Sequence, residues 1–422
     1  MVTRVQEHQN LPGLIYKAPE VSHRITCAES LRIIPKISRG QELVFQKLWS
    51  LHCPVLVSSV DKQLQGNWSP QGLVSSYGHE QVVMFDSRLE QPRLVTAAEF
   101  FQEFMKDDAV RGSTIRLKDW PPSASFSDKF WQHYAAFMHA VPMPAYTRSN
   151  GFRNLAAHYP EGPVPQKPDL GPKMYVATRD TDGVGSTRLH LDVTSAVNIL
   201  VYASGGKPTG ALWHIFRPDD LEKLQEYLRL RTSTQQGAEI SDPIHDQSVY
   251  LTPAMLEDLR ILGVRPFAVQ QQVGDAVFIP AGCAHQVSNT SACIKIACDF
   301  LCLDSVPWSA RVSEQLSQVQ HEDVLGLQSL LWHAWFSLSA KETTLASSSG
   351  AQRPTRVQRK HRKQREILRA RDDQARRKAK KPADNGLTGQ DGHISKTYKC
   401  PHDECAGATR TFRVLDGVFN HL

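Results

Sequence analysis

Thr187-Arg188-Leu189-His190-Leu191-Asp192, taken together with Pro280-Ala281-Gly282-Cys283-Ala284-His285, decides how this chain is read. The first stretch sets an imidazole and a carboxylate two residues apart, and the apolar run Ala196-Val197-Asn198-Ile199-Leu200-Val201-Tyr202-Ala203 follows it. The second sets another imidazole just beyond the apolar run Ala276-Val277-Phe278-Ile279. Residues two apart on an extended strand point to the same face. His190 and Asp192 can therefore reach one ion, provided His285 enters from a neighbouring strand. Two imidazoles and one carboxylate form the facial triad that suits non-haem Fe(II), leaving open positions for an oxidant and a co-substrate. An H-x-D triplet also occurs as ordinary polar surface, and on pattern alone both readings stand.

Working outward from these stretches, short strand-like runs alternate with Gly/Pro turns and amphipathic segments. Pro54–Val60, Gln81–Asp86, Met174–Ala177, Ala211–Phe216, Val269–Ile279 and Ala292–Phe300 read as strands. Gln41–Trp49 has helical spacing, Trp68-Ser69-Pro70 opens another helix, and Thr96 with Glu99 has the spacing of a capping box. Asp119-Trp120-Pro121-Pro122 reads as a turn, and a helix is expected around Phe130–Met138. Residues 141–172 should be mostly loop, followed later by a polar helix over Pro218–Leu230, a polar insertion over 232–247 and a helix over Pro253–Leu262. The segment 307–340 reads as helical. Together these imply a mainly β fold, a barrel or sandwich with helical decoration.

With 422 residues, 41% of them apolar, the chain can bury a large core, and it holds no run of about 18 apolar residues that would span a membrane. The first eight residues lack the apolar stretch of a signal peptide, and the eight scattered cysteines fit a reducing compartment. Charge is concentrated in one place. Residues 353–381 hold 14 Lys/Arg against 3 Asp/Glu, a net of +11, whereas the whole chain carries +6, so the remainder sums to −5. A broad DNA-gripping face on the folded body is therefore not expected; nucleic-acid contact, if present, belongs to this tail.

Several separated stretches carry a family resemblance. Gly185–Thr194, Gly210-Ala211-Leu212-Trp213-His214-Ile215-Phe216, Asp242-Pro243-Ile244-His245-Asp246-Gln247 and Gly274–Val287 closely resemble the JmjC domain family, specifically its branch that demethylates lysine 9 of histone H3. Asp169–Tyr175 and Cys53–Pro70 match as well, so the likeness runs in order over roughly residues 30–305. It implies a double-stranded β-helix of the cupin or jelly-roll type, holding Fe(II) and 2-oxoglutarate. His190, Asp192 and His285 match the iron ligands. Thr187 and Lys207 match positions that hold the far carboxylate of 2-oxoglutarate, where a buried dicarboxylate needs a hydroxyl and a cation. Lys207 lies 17 residues after His190, beyond a Ser-Gly-Gly turn. Asn198 is expected on the same inward face as Asp192, against the 1-carboxylate or as a core polar group. Tyr175 and Asp119 fit either a methyl-ammonium pocket or a structural role.

The reaction so implied hydroxylates an N-methyl group of a mono- or dimethylated lysine on a histone tail, releasing formaldehyde and regulating transcription in the nucleus. Two other functions are compatible with the sequence: a JmjC hydroxylase on a non-histone protein, and an inactive chromatin-binding barrel. The organisation expected is an N-terminal extension (1–28), a helical and strand region (29–140), the catalytic core (141–305), a helical segment (306–345), a basic linker (346–395) and a partial C2H2-like zinc finger (396–422). Basic clusters Arg359–Lys363 and Arg376–Lys381 suit nuclear import or phosphate binding. In the finger, Cys400, Cys405 and His421 have near-C2H2 spacing for Zn(II) but lack a fourth ligand, since His402 inside the Cys loop would strain a tetrahedron.

Overall fold

The computed structural model describes residues 32–89, 91–106, 112–122, 124–160, 168–180, 185–206, 209–236, 242–320 and 325–348, with the pairs 398–399 and 411–412. Fourteen strands build two sheets: β1 (Arg32–Ile33), β2 (Lys36–Ile37), β3 (Val55–Val57), β4 (Gln81–Asp86), β5 (Arg93–Thr96), β6 (Ile115–Trp120), β7 (Lys173–Ala177), β8 (Thr187–His190), β9 (Ser195–Ala203), β10 (Thr209–Ile215), β11 (Phe267–Gln272), β12 (Ala276–Ile279), β13 (His285–Asn289) and β14 (Cys293–Phe300). The small sheet runs β1-β11-β10-β13-β8 and the large one β2-β3-β12-β9-β14-β7-β6-β4-β5. Two largely antiparallel sheets with decorating helices are the jelly-roll architecture expected from the sequence. Strands from residues 32–57 and 81–120 complete both sheets, so the region ahead of residue 141 shares its hydrogen bonding with the core.

Alternation along the strands assigns the faces. On the large sheet Met174, Val176, Val197, Ile199, Ile294 and Ile296 turn outward into the main apolar core. Helix Glu42–Trp49 drops Phe45 and Trp49, one turn apart, onto that face, where Trp49 stacks on Phe300 at 5.5 Å and Phe45 meets Phe278 edge-on at 5.0 Å. The other face of the sheet turns toward the small sheet. Behind β8, Leu189 and Leu191 pack with Leu221, Leu224 and Leu228 of helix Leu221–Gln236 and with Met255 and Leu259 of helix Pro253–Ile261. That packing fixes the strand from which His190 projects.

The Thr96–Glu99 capping box forms with both reciprocal bonds at the start of helix Ala97–Phe104. Other expectations need revision. The run Val269–Ile279 is broken: Gly274 takes φ 85°, and a Cβ there would meet Asp61 Oδ1 at 2.2 Å, so the chain turns and sends β11 and β12 to different sheets. Asp119 and Trp120 belong to β6 rather than to a turn, with a register shift between Leu117 and Trp120. Helix Leu221–Gln236 extends into the stretch expected as a polar insertion. The segment after residue 305 is two helices, Val306–Gln320 and Leu327–Ser348. Among the described residues, no helix is long and apolar enough to cross a membrane.

Candidate metal centre

β8 and β13 lie antiparallel and place His190 directly across from His285, their rings 4.2 Å apart. Asp192 sits just past the end of β8, not on it as an unbroken strand would have it, yet its carboxylate still reaches both rings. Oδ1 is 3.5 Å from His190 Nε2, and Oδ2 is 3.6 Å from His285 Nε2. The three donor atoms all fall within 4.8 Å of one another.

The outer nitrogens suit a ligand set better than an ion pair. His190 Nδ1 is 2.7 Å from the Arg188 carbonyl and His285 Nδ1 is 3.0 Å from the Cys283 carbonyl. A carbonyl only accepts, so each Nδ1 carries the proton and each Nε2 turns a lone pair inward. Two lone pairs and a carboxylate then converge with no proton to share, at distances longer than a good hydrogen bond. A divalent cation would satisfy them. Burial, followed by neighbouring His190, pushes the His285 imidazole down to about 4, which keeps it neutral as a ligand must be.

His285 is held from three sides. Trp213 of β10 stacks on its ring at 5.9 Å. The preceding turn is pinned by Ser195 Oγ, which accepts from the Ala281 N–H at 3.1 Å, and by Gly282, whose φ is 79°. A Cβ on Gly282 would lie 2.9 Å from Trp308 Cε3, so glycine alone lets the turn close against that indole.

Thr187, half-buried on β8, stands opposite Val287. Asn198 is 8% exposed on β9, opposite Ala297 of β14 and Val277 of β12; Gln271 Nε2 donates to its carbonyl at 3.0 Å. Lys207 lies outside the described residues, as do Cys400, Cys405, His421 and the basic run 353–381.

Sequence reasoning missed Lys295. It is 6% exposed on β14, donates to Asn289 Oδ1 at 2.6 Å and lies 5.9 Å over the Trp213 ring, the same indole that backs His285. Asn289 Nδ2 in turn donates to Ser186 Oγ, beside Thr187. Among the described residues no carboxylate lies within ion-pair distance of this ammonium. A lone cation in the apolar strand Cys293–Phe300 is costly without an anion, and that oddity was the available signal. Four residues further on, about 13 Å along the strand, the same face carries Asp299. Burial and then Asp192 push its carboxyl well above the usual range. Tyr175, across from Lys295 on β7, is likewise pushed up by burial and by the Asp119 carboxylate beside it. Lys295 thus sits at one end of this face and Asp299 at the other, where the carboxyls of Asp119 and Asp192 act on Tyr175 and Asp299.

Comparison with known proteins agrees with this geometry. Residues 185–300, which contain all three ligands, match the family described as JmjC domain, hydroxylase. Lysine-specific demethylase 3A of Homo sapiens is 34% identical over 345 residues, covering 69% of this chain and 26% of that protein. Lysine-specific demethylase 3 of Drosophila melanogaster is 32% identical over 374 residues, covering 75% of this chain and 43% of that protein. The chain thus spans about a quarter of the length of the 3A relative and under half of the fly protein. Residues 185–300 match the JmjC domain family, and the chain that carries them is similar in sequence to the lysine-specific demethylase 3 proteins.

Proposed function

We propose that this chain is an Fe(II)- and 2-oxoglutarate-dependent dioxygenase that removes methyl groups from histone lysine, with mono- and dimethylated lysine 9 of H3 as substrate. The observation that carries the reading is the convergence of His190, Asp192 and His285 with both Nε2 lone pairs turned inward. The names of its relatives supply the substrate class. Held by the triad, iron would supply the oxidising power of dioxygen, with 2-oxoglutarate as the two-electron donor that leaves as succinate and carbon dioxide, so that one oxygen atom hydroxylates an N-methyl group.

The chain's own residues do the rest. Carbonyls 188 and 283 keep both imidazoles in the ligating tautomer, and Trp213 holds the His285 ring. Thr187 and Lys295 supply the hydroxyl and cation that the remote carboxylate of 2-oxoglutarate needs, a role the family resemblance alone gives to Thr187 and Lys207. Asn198 is read at the other carboxylate. Tyr175, Asp119 and Asp299 supply oxygen acceptors that suit a methyl-ammonium head. The hydroxymethyl product then falls apart to formaldehyde and a lysine with one methyl fewer.

The same reading puts the protein in the nucleus, on the methylated tails of nucleosomes, and assigns any nucleic-acid contact to the basic run 353–381. The spacing of Cys400, Cys405 and His421 supports three of four ligands of a zinc finger. The alternative, a JmjC hydroxylase on another protein, is favoured by the family's description as a hydroxylase. Mass spectrometry separates the two. After anaerobic loading with Fe(II) and then admission of dioxygen, methylated H3 peptides with 2-oxoglutarate should lose about 14 Da per methyl removed, whereas a stable gain of about 16 Da on a protein substrate indicates hydroxylation. His190→Ala must abolish the change. Turnover that survives that substitution refutes the reading.

A further inference from the structure

The face of the large sheet that carries Tyr175, Lys295 and Asp299 continues outward onto β6. Arg116 of β6 stands opposite Ala177 of β7, two residues from Tyr175 and so on its side of the sheet, while Leu117 and Val176 turn into the apolar core. The register shift between Leu117 and Trp120 then inserts Lys118 and Asp119 into the strand. Asp119 takes a left-handed conformation, φ 52°, unusual for a residue other than glycine. Bulges of this kind re-aim side chains beside active sites. Here the bulge sets Asp119 against Tyr175 and leaves Lys118, the preceding residue, exposed.

Three cations gather there. Arg116 donates to the carbonyl of Ser186, two residues from Arg188, and lies 5.6 Å over the Phe85 ring. Arg188, exposed on β8 two residues before His190, donates to the carbonyl of Ser248. Lys118 has no hydrogen-bond or ion-pair partner among the described residues. Burial and then Arg188 hold Arg116 below its ordinary value; Lys118, exposed as a residue, is held below its own by desolvation around its ammonium and then by Arg116. Positive charge is crowded, not neutralised. The two nearby carboxylates offset this charge only in part and have other partners: Asp119 faces Tyr175, and Asp180 accepts from the Asn289 N–H at 2.6 Å and from Ser186 Oγ. Apart from the basic run 353–381 the chain sums to a net negative charge, so this strip stands out against its own protein.

We infer that Arg116, Lys118 and Arg188 form a substrate-reading strip beside the metal centre, which engages an anionic side chain, phosphorylated or carboxylate, close in sequence to the methylated lysine. The inference rests on the demethylase reading for the presence of a peptide in the site. A peptide whose cation meets the carboxyls at Asp192 and Asp299 would pass Asp119, the neighbour of Lys118, and the complementary charge on its flank is negative. Backbone-tracking contacts to nucleic acid would instead need a broad basic face, which the acidic body lacks.

The test uses the full chain and three methyl-lysine peptides that differ at the positions flanking the lysine: serine, phosphoserine or glutamate. At low salt, kcat/KM for the anionic peptides should exceed that for the serine peptide by about tenfold, carried in KM, and the preference should shrink as salt rises. Lys118→Glu should invert the preference and Lys118→Arg should keep it. Parity between the peptides in the unaltered protein, or a preference that survives Lys118→Glu, overturns the inference. So does duplex DNA that displaces the peptides and is itself lost in Lys118→Glu, which would assign the strip to nucleic acid. If no peptide is turned over, the demethylase reading fails separately. Fluorescence anisotropy with the phosphoserine peptide then still decides the strip: binding weakened by Lys118→Glu supports it, and unchanged or absent binding overturns it.

Discussion

Replacing Lys295 by methionine separates the structural role of this residue from its proposed role as the anchor of 2-oxoglutarate. The residue is 6% exposed, and its ammonium donates to Asn289 Oδ1 at 2.6 Å and lies over Trp213 at 5.9 Å. Methionine keeps the length and apolar stem but removes the charge. Asn289 Oδ1 retains the Cys293 thiol at 3.0 Å, so it is not orphaned. Losing one hydrogen bond costs about 1 kcal/mol, offset by relief of a buried ammonium without a carboxylate partner, and the folded state should be about as stable as before. The co-substrate loses far more. A hydrogen bond between ammonium and carboxylate contributes about 1.5–3 kcal/mol, and at about 1.4 kcal/mol per decade this weakens 2-oxoglutarate by about ten- to hundredfold. The assay is anaerobic calorimetric titration of 2-oxoglutarate into the metal-loaded protein, alongside urea unfolding. Affinity unchanged within about twofold in Lys295→Met, with affinity lost instead in Lys207→Ala, would refute the reasoning.

Two further perturbations test the frame around the centre. Gly282→Ala forces a Cβ to 2.9 Å from Trp308 Cε3 at a φ of 79°, and should cost about 1–3 kcal/mol in urea unfolding and weaken metal binding by displacing His285. His214, 7% exposed with Nδ1 unpartnered, is pushed down by burial to about 4. Because its folded value lies below the unfolded 6.5, its contribution is fully present above about pH 6.5 and is lost as pH falls toward 4, where the unfolded chain binds the extra proton; the loss is about 3 kcal/mol. His214→Phe should flatten the stability–pH slope across that window by up to about one proton, and an unchanged slope would contradict the assignment.

Local chemistry made some of this legible in the sequence. The Thr96–Glu99 box depends on residues three apart, and both of its bonds form. His190, Asp192 and His285 were visible because metal ligands must stand where apolar runs hold them rigid yet reachable. What depended on long-range pairing was not legible. Nothing near Gly274 says that the strands on either side of it join different sheets. Asp119-Trp120-Pro121-Pro122 has turn composition, yet β7 captures its first two residues into a bulged strand. Lys295 was overlooked because its environment is assembled from Trp213, Asn289 and Ser186, which approach it only once the two sheets close.

The central claim is that His190, Asp192 and His285 bind one metal ion. Anaerobic calorimetry with Co(II), a redox-silent stand-in for Fe(II), tests it most directly when run on the unaltered protein and on Asp192→Ala. The account predicts one ion per chain, with binding abolished in Asp192→Ala while the folded state persists by circular dichroism, because removing the carboxylate leaves two neutral imidazoles. Metal binding of equal affinity and stoichiometry in Asp192→Ala would contradict it.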